Sequence, residues 1–185
     1  MRIYITVLSL LFLTLSAQAQ NKDAKTEKEI PIDSSSVLSI DKTIKALYNV
    51  ISGETGKKRH WKQFKFLFLP DAKLIAAGKD SKNKNKIQFM SPDDYIKNSG
   101  KWLETNGFFE KEIHRRVNTF GNISQVFSTY ECFYNITDKK PFMRGINSIQ
   151  LWHDGKRWWI ANLYWTQETK STPIPEEFLP EKTKS

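Results

Sequence analysis

The segment at residues 144–165, R-G-I-N-S-I-Q-L-W-H-D-G-K-R-W-W-I-A-N-L-Y-W, limits the possible folds of this chain more than any other stretch. Asp154-Gly155 predicts a β-hairpin with a two-residue turn, because both central residues of that turn need a positive φ. Such a turn also sets the register of the two strands. The pairs on one side are apolar near the turn and polar at the far end: Leu151 with Trp158, Ile149 with Ile160, Asn147 with Asn162, and Gly145 with Tyr164. We therefore expect a core that opens into a pocket.

The opposite side of the predicted hairpin carries large apolar side chains as well. Its pairs are Gln150 with Trp159, Ser148 with Ala161, Ile146 with Leu163, and Arg144 with Trp165. Two apolar faces indicate a sheet that is covered on both sides. Aromatic side chains are enriched at subunit interfaces. We therefore expect a homodimer through the outer sheet face, with four contributing residues: Gln150, Trp159, Leu163 and Trp165.

The N-terminus has the features of a secretory signal peptide at residues 1–19. Arg2 supplies the positive charge, residues 3–15 are an apolar run, and Ala17-Gln18-Ala19 is a small-x-small cleavage site. The run is too short to cross a bilayer comfortably, so an uncleaved anchor is the weaker alternative. The sequence predicts export to the periplasm or the medium, without a stable membrane span after signal cleavage.

Composition excludes several classes of partner and cofactor. The formal net charge is +9, but the basic residues are spread along the chain, which favours a solvated surface over nucleic-acid binding. Cys132 is the single cysteine, so an intrachain disulfide is impossible, and a small buried hydrophobe is expected there. The three histidines lie far apart, which argues against a metal site. No motif indicates a cofactor.

The rest of the chain divides into a leader, one domain and a tail. Residues 20–36 are charged and aperiodic and predict a flexible leader, residues 37–169 form the domain, and residues 170–185 form a Pro-containing tail. Three helices are predicted, at about 39–52, 57–67 and 91–106, from caps and apolar periodicity. Short strands at 73–77 and 86–90 precede a four-stranded antiparallel meander from residue 109 to the hairpin.

Three segments of this α+β pattern resemble the nuclear transport factor 2-like superfamily, which includes polyketide cyclase-like and ketosteroid isomerase-like proteins. They are W-K-Q-F-K-F-L-F-L-P-D-A-K-L at 61–74, V-F-S-T-Y-E at 126–131, and D-G-x-x-W-W-I in the hairpin. The resemblance covers residues 37–166. It implies three N-terminal helices packed on a strongly curved antiparallel sheet, a cone with an internal pocket, and commonly a dimer. It supplies no catalytic residue that can be matched here.

Extending the register through two further assumed turns places a polar cluster on the pocket-facing side. His114, Glu131 and Tyr164 are the predicted catalytic residues, since a histidine beside carboxylates has a pKa suited to acid–base work. The predicted ligand-binding residues are Glu112, Thr129, Asn147, Asn162 and Trp158. A one-residue slip would move the cluster to the other face and leave both glutamates in solvent. We prefer that simpler interpretation over a catalytic cluster.

Three functions remain open at this point. The first is an exported protein that binds a small, partly apolar molecule between helices and sheet. The second is a lyase or isomerase that uses His114 and Glu131 as an acid–base pair. The third is a non-catalytic dimeric interaction module whose pocket is filled by its own Trp and Phe side chains. The sequence does not decide whether the protein is an enzyme.

Overall fold

The computed structural model describes residues 30–181. The predicted signal peptide and most of the predicted leader lie outside the described residues, as do residues 182–185. Within residues 30–181, no helix combines the length and the apolar character needed to cross a membrane. The last part of the predicted leader has regular structure, because Ser34–Val37 form a 3-10 helix.

Three α-helices precede most of the sheet, as predicted, and the caps predicted for the first and third are present. Helix α1 spans Ile40–Ile51, with the Ser39 side chain accepting a hydrogen bond from Lys42 N. Helix α2 spans Trp61–Phe66 and is capped by His60, whose Nδ1 accepts from Gln63 N at 3.0 Å. Helix α3 spans Pro92–Asn106 and begins with the predicted capping box.

A buried arginine ties the helices together over the sheet. The Arg59 guanidinium donates to five backbone carbonyls, among them those of Ile51 at 2.9 Å, Gly53 at 2.7 Å and Leu103 at 2.8 Å. Ile51 is the last residue of α1 and Leu103 lies in α3. Arg59 therefore satisfies carbonyls that the end of α1 leaves free and fixes α1 beside α3.

The sheet has six strands in the order β2-β1-β6-β5-β4-β3. Their bounds are Phe68–Lys79 for β1, Asn85–Met90 for β2, Phe109–Phe120 for β3, Ile123–Phe133 for β4, Met143–His153 for β5 and Trp158–Gln167 for β6. The α+β class and the order of elements are confirmed. The sheet is mixed rather than antiparallel, because β1 and β6 run parallel. A parallel neighbour needs a long crossover, which α3 and the meander provide. The curvature of the sheet stays a prediction.

The hairpin forms, but its register differs from the prediction. Four residues connect the strands, and the Asp154 carboxylate holds the connection by accepting from the backbone N of Lys156 and Arg157, both at 2.8 Å. Leu151 consequently faces Ile160 instead of the predicted Trp158. Because this shift is two residues, the side chains next to the turn stay on the predicted sides of the sheet. Ala161 is then an extra residue opposite the Gln150–Leu151 step, and this bulge reverses the faces beyond it.

The bulge overturns four predicted placements. Leu163 faces Ile149 and Trp165 faces Asn147, so both lie on the inner side of the sheet and outside the predicted dimer surface. Asn162 faces Gln150 and Tyr164 faces Ser148, so both lie on the outer side rather than in the pocket. Sequence periodicity could not reveal this, since W-W-I-A-N-L-Y-W is apolar in both alternations.

The meander has the predicted strand pairing next to the β3–β4 turn. Its register differs from the prediction beyond Ile113 and between β4 and β5. Pairs such as His114 with Thr129 are confirmed, but a second bulge at Ile113 places Glu112 opposite Tyr130 rather than Glu131. Between β4 and β5 the register differs by one residue, with Ser128 opposite Asn147. His114, Thr129 and Glu131 therefore lie on the outer side of the sheet.

The C-terminal segment crosses the outer side of the sheet. Glu168 accepts from the Arg144 guanidinium at 2.8 and 3.1 Å, and Ile174 is buried. Further along, Phe178 packs against Phe127 with ring centroids 4.9 Å apart, and its carbonyl accepts from the Thr129 hydroxyl at 2.6 Å. The tail thus shields part of the outer face, while the helices and the core lie on the inner face.

Candidate functional site

A cavity of about 190 Å³ lies between the three helices and the inner face of the sheet. Most of its lining is apolar and comes from helices and strands alike: Leu47, Ile51, Phe64, Leu103, Phe108, Met143, Leu163 and Trp165. Trp102 also lines the cavity and is 44% exposed, so the cavity reaches the surface beside α3. The side chains of the chain itself do not fill this space.

Glu110 is the one carboxyl group in the cavity lining. It lies at the start of β3, and its Oε1 accepts a hydrogen bond from Asn147 Nδ2 at 3.0 Å. The Cys132 thiol lies opposite on β4 and donates to Oε2 at 3.8 Å. Burial raises the pKa of Glu110 to about 7, although the bonds from Asn147 and Cys132 act in the opposite direction. The carboxyl group therefore changes charge near neutral pH.

Two tyrosines bring further polar groups to the cavity. Tyr95 from α3 and Tyr130 from β4 both line it, and neither hydroxyl has a hydrogen-bond partner among residues 30–181. Burial and the nearby Glu110 raise the pKa of both tyrosines, so their hydroxyls keep their protons at neutral pH. Tyr130 lies against β5, where a Cβ at Gly145 would come within 2.4 Å of its hydroxyl oxygen. Only glycine leaves room for this ring.

A hydrogen-bonded chain continues from Asn147 away from the cavity. Asn147 Nδ2 also donates to the Tyr48 hydroxyl at 3.1 Å, and Tyr48 is 2.7 Å from the Ser128 hydroxyl. Ser128 in turn donates to Glu112, which pairs with the Arg115 guanidinium. The chain ends at the surface, where Arg115 reaches Asp41 at 2.6 Å. On the side away from the cavity, the Asn147 side chain is thus fixed by a buried network that spans α1, β3 and β4.

The predicted site residues separate into two groups. Asn147 lines the cavity, and Glu112 lies on the same side of the sheet behind it. Trp158 is on the inner side but packs against His153 near the hairpin turn, away from the cavity lining. The other five residues lie on the outer side, so their predicted placement in the pocket is wrong: His114, Thr129, Glu131, Asn162 and Tyr164.

Two of the outer-side residues have structural partners of their own. Thr129 binds the tail, and Glu131 lies 3.9 Å from the Arg144 guanidinium. His114 Nε2 is buried and has no hydrogen-bond partner among the described residues. No group of three or more potential metal-ligating side chains occurs in the described part of the chain. Acid–base chemistry by His114 and Glu131 in the cavity is therefore excluded by position.

Sequence reasoning missed Glu110, Tyr95, Tyr130 and Tyr48. One signal for Glu110 was present, since it lies two residues before Glu112 in F-F-E-K-E-I and therefore shares a strand face with that predicted site residue. Glu112 was placed correctly on the inner side only because the predicted slip and the bulge at Ile113 offset each other. The tyrosines come from two helices and a central strand, and their convergence depends on tertiary packing.

Comparison with solved structures places this architecture among known folds. A protein of unknown function with a cystatin-like fold from Nostoc punctiforme matches 76% of this chain and 97% of its own length, with 10% identity and a TM-score of 0.54. A proposed scytalone dehydratase from Novosphingobium aromaticivorans matches 70% of this chain and 82% of its own, with 13% identity and a TM-score of 0.50. LinA matches 73% and 86%, with 9% identity and a TM-score of 0.52.

The likeness at such low identity shows the fold alone. No protein-family model matches the sequence, and no curated protein matches it significantly.

Replacing Glu110 by Gln tests the state of the buried carboxyl. Between about pH 4.5 and 7 the folded protein retains a proton on Glu110 that the unfolded chain releases, so this group's contribution to stability falls as the pH rises. Glu110→Gln should be close to wild type at pH 5 and more stable at pH 8, by up to roughly 3 kcal/mol. Urea unfolding at both pH values measures this.

The exposed Glu54 provides a matched control, because Glu54→Gln removes the same charge from solvent. This variant should show no difference between the two pH values relative to wild type. Equal stability of wild type and Glu110→Gln at pH 8 would show that the Glu110 carboxylate is not penalised by burial.

Proposed function

Since the chain has the fold of the nuclear transport factor 2-like superfamily, in which small molecules are often bound or converted, we propose that it binds a small neutral molecule in the cavity. The volume of the cavity supports a ligand about the size of one six-membered ring. A dry apolar cavity of roughly 150 Å³ accommodates benzene, and the cavity here is about 190 Å³. The volume beyond that needed for benzene has room for a two- or three-atom substituent on a six-membered ring.

The polar end of the cavity carries the proposal. Glu110 and the Tyr95 and Tyr130 hydroxyls converge on one apolar space, and below about pH 7 all three groups hold a proton to donate. A ligand oxygen that accepts hydrogen bonds, such as a carbonyl, would satisfy donors that the protein leaves unpaired. An anionic ligand would be repelled once Glu110 ionises, and a cation would leave both tyrosines unpaired. The favoured ligand is therefore a neutral ring with one acceptor oxygen.

Acetophenone is a probe of this chemistry, because it combines a single ring with one carbonyl oxygen. It should bind more tightly than ethylbenzene, which lacks the acceptor, and than benzoate, which is charged. Its affinity should fall as the pH rises through about 7, since ionised Glu110 no longer donates. Isothermal titration calorimetry between pH 5.5 and 8.5 gives the three affinities.

Two tyrosine variants test the location of this binding. Tyr130→Phe should weaken acetophenone binding by about three- to tenfold, the worth of one hydrogen bond. Tyr164→Phe removes an equivalent hydroxyl from the outer side of the sheet and should leave binding unchanged. Benzoate binding as well as acetophenone, or equal losses in the two variants, would contradict the proposal.

The raised pKa of Glu110 favours one further function, proton transfer. A base that titrates near pH 7 in a largely apolar cavity is suited to removing a proton from a carbon next to a carbonyl group. Tyr95 and Tyr130 would then stabilise the negative charge that develops on the carbonyl oxygen. Glu110 takes the acid–base role that the sequence assigned to His114 and Glu131.

Deuterium exchange separates catalysis from simple binding. In D₂O the wild-type protein should replace the methyl protons of acetophenone by deuterium faster than Glu110→Gln does, because Gln cannot accept the proton. Proton NMR of the methyl signal follows the reaction. If wild type and Glu110→Gln exchange at the same rate while acetophenone binds, the protein is a binder without this activity.

Export and self-association are proposed on separate grounds. The signal-like residues 1–19 support export, and exposed apolar side chains at the far end of the outer face support a homodimer there: Phe120, Ile123 and Trp152. Gln150 and Trp159 of the expected interface share this face, whereas Leu163 and Trp165 do not.

Native mass spectrometry of the full-length gene product, purified from its expressing cells, tests both ideas and detects any retained ligand. We expect a dimer of chains that begin at residue 20. Phe120→Lys should convert it to a monomer, because a charge at the interface is costly. A wild-type monomer would overturn the dimer, and a subunit mass that includes residues 1–19 would overturn signal cleavage.

A further inference from the structure

We propose that Glu112, which does not line the cavity, is a positioning residue that determines which oxygen of Glu110 can carry a proton. The hydrogen-bonded chain from Glu112 to Asn147 has only one consistent direction, and this direction reaches Glu110. The inference concerns the site of the proposed function, but it is tested on the free protein without a ligand.

The direction of the chain is set at its ionic end. Glu112 accepts from Arg115 Nε at 2.8 Å and from a second guanidinium nitrogen, and Arg115 also contacts Asp41. Desolvation alone would lower the pKa of Arg115, but its bonds to Glu112 and the nearby acidic groups raise it overall. Both oxygens of Glu112 thus face guanidinium N–H groups, which can only donate, so Glu112 accepts hydrogen bonds at both oxygens.

The donor and the acceptor of each following hydrogen bond are then determined. Ser128 must donate to Glu112, so its oxygen is free to accept from Tyr48 at 2.7 Å. The Tyr48 hydroxyl donates its single proton to Ser128. Burial and the charge of Glu110 raise the pKa of Tyr48, so this proton is not lost at neutral pH. The Tyr48 oxygen can thus only accept from the next group.

The next group is the side-chain amide of Asn147. Its nitrogen is 3.1 Å from the Tyr48 oxygen and 3.0 Å from Glu110 Oε1. If the amide were turned over, its oxygen would face a Tyr48 oxygen that has no proton to give. The amide is therefore fixed with nitrogen toward both neighbours, and Oε1 of Glu110 must accept. A proton on Glu110 can then reside only on Oε2.

The other groups that face Glu110 do not impose such a direction. The hydroxyls of Tyr95 on α3 and Tyr130 on β4 have no partner among the described residues that fixes the direction of their hydrogens, and the Cys132 thiol is a weak donor to Oε2 at 3.8 Å. Cys132 itself has a raised pKa because it is buried next to Glu110. The Cys132 bond also lowers the pKa of Glu110, but the S–H can turn and the sulfur can accept from Oε2. Among the described groups packed against Glu110, only the Asn147 amide therefore has its donor direction fixed by a hydrogen-bonded chain.

Tyr48→Phe tests the chain without changing any charge. Asn147 could then turn its amide and accept a proton from Oε1, which stabilises neutral Glu110. The pKa of Glu110 should rise by about one unit, a tenfold change in proton affinity. Carbon-13 NMR of the labelled glutamate carboxyls measures it, and the spectrum of Glu110→Gln identifies the signal. Ser128→Ala interrupts the chain one link later and should give the same rise in the pKa of Glu110. It replaces Tyr48→Phe as the test if that variant folds poorly.

Glu112→Gln distinguishes the hydrogen-bonded chain from a through-space effect. Loss of the negative charge beside an unchanged Arg115 would lower the pKa of Glu110 by electrostatics alone. Loss of the fixed direction would raise it, because Gln can either donate or accept. We expect a rise. Glu131→Gln removes the same charge from the outer side of the sheet and should leave the pKa unchanged.

An unchanged pKa in Tyr48→Phe and Ser128→Ala, or a lower pKa in Glu112→Gln, would overturn the positioning role. These outcomes are independent of ligand binding. If acetophenone fails to bind but the pKa rises as expected, the proposed function is wrong and the positioning role stands. If acetophenone binds as expected and the pKa does not move, the reverse holds.

Discussion

The hydrogen bond from Asn147 to Glu110 is the contact on which the interior of this protein depends. It spans from β5 to β3 across the intervening strand β4, at the level where the helices leave a cavity over the sheet. The bond compensates part of the cost of burying a carboxyl group. It also links the cavity to the network through Tyr48 and Glu112. Without this bond, the core would contain a carboxyl group supported only by a weak thiol contact.

The helices and the sequence of strands could be predicted, because local chemistry specifies them. Ser39, Ser91 and Asp94 form the expected caps, and the strands alternate with clear turn signals. The strand faces could not be predicted in full, since each bulge inserts one residue and reverses everything beyond it. Ala161 and Ile113 have no sequence property that marks them as bulges. Ala161 lies in a stretch with apolar residues on both alternations, whereas Ile113 is the one apolar residue in the polar run E-K-E-I-H-R-R at 110–116.

The same physical reason explains which part of the candidate site was found. Asn147 was placed correctly, because it shares a face with Ile149 and Leu151 on a strand without an intervening bulge. Asn162 and Tyr164 were misplaced, because the bulge at Ala161 lies between them and the turn. Glu110 lies beyond the bulge at Ile113, so its face depended on a feature that the pattern does not contain. Tyr95 comes from a helix, and its approach to the cavity follows from packing.

The energetics of Glu110 bear on the three functions that the sequence left open. A glutamine at this position would accept from Asn147 and fill the same volume without a charge to bury, so the carboxyl group is a net cost at neutral pH. A module that serves only to hold its own shape would gain nothing from that cost. The cavity is also not filled by the Trp and Phe side chains around it. A group that is expensive, titrates near pH 7 and faces open space is better explained by a ligand or a reaction than by stability.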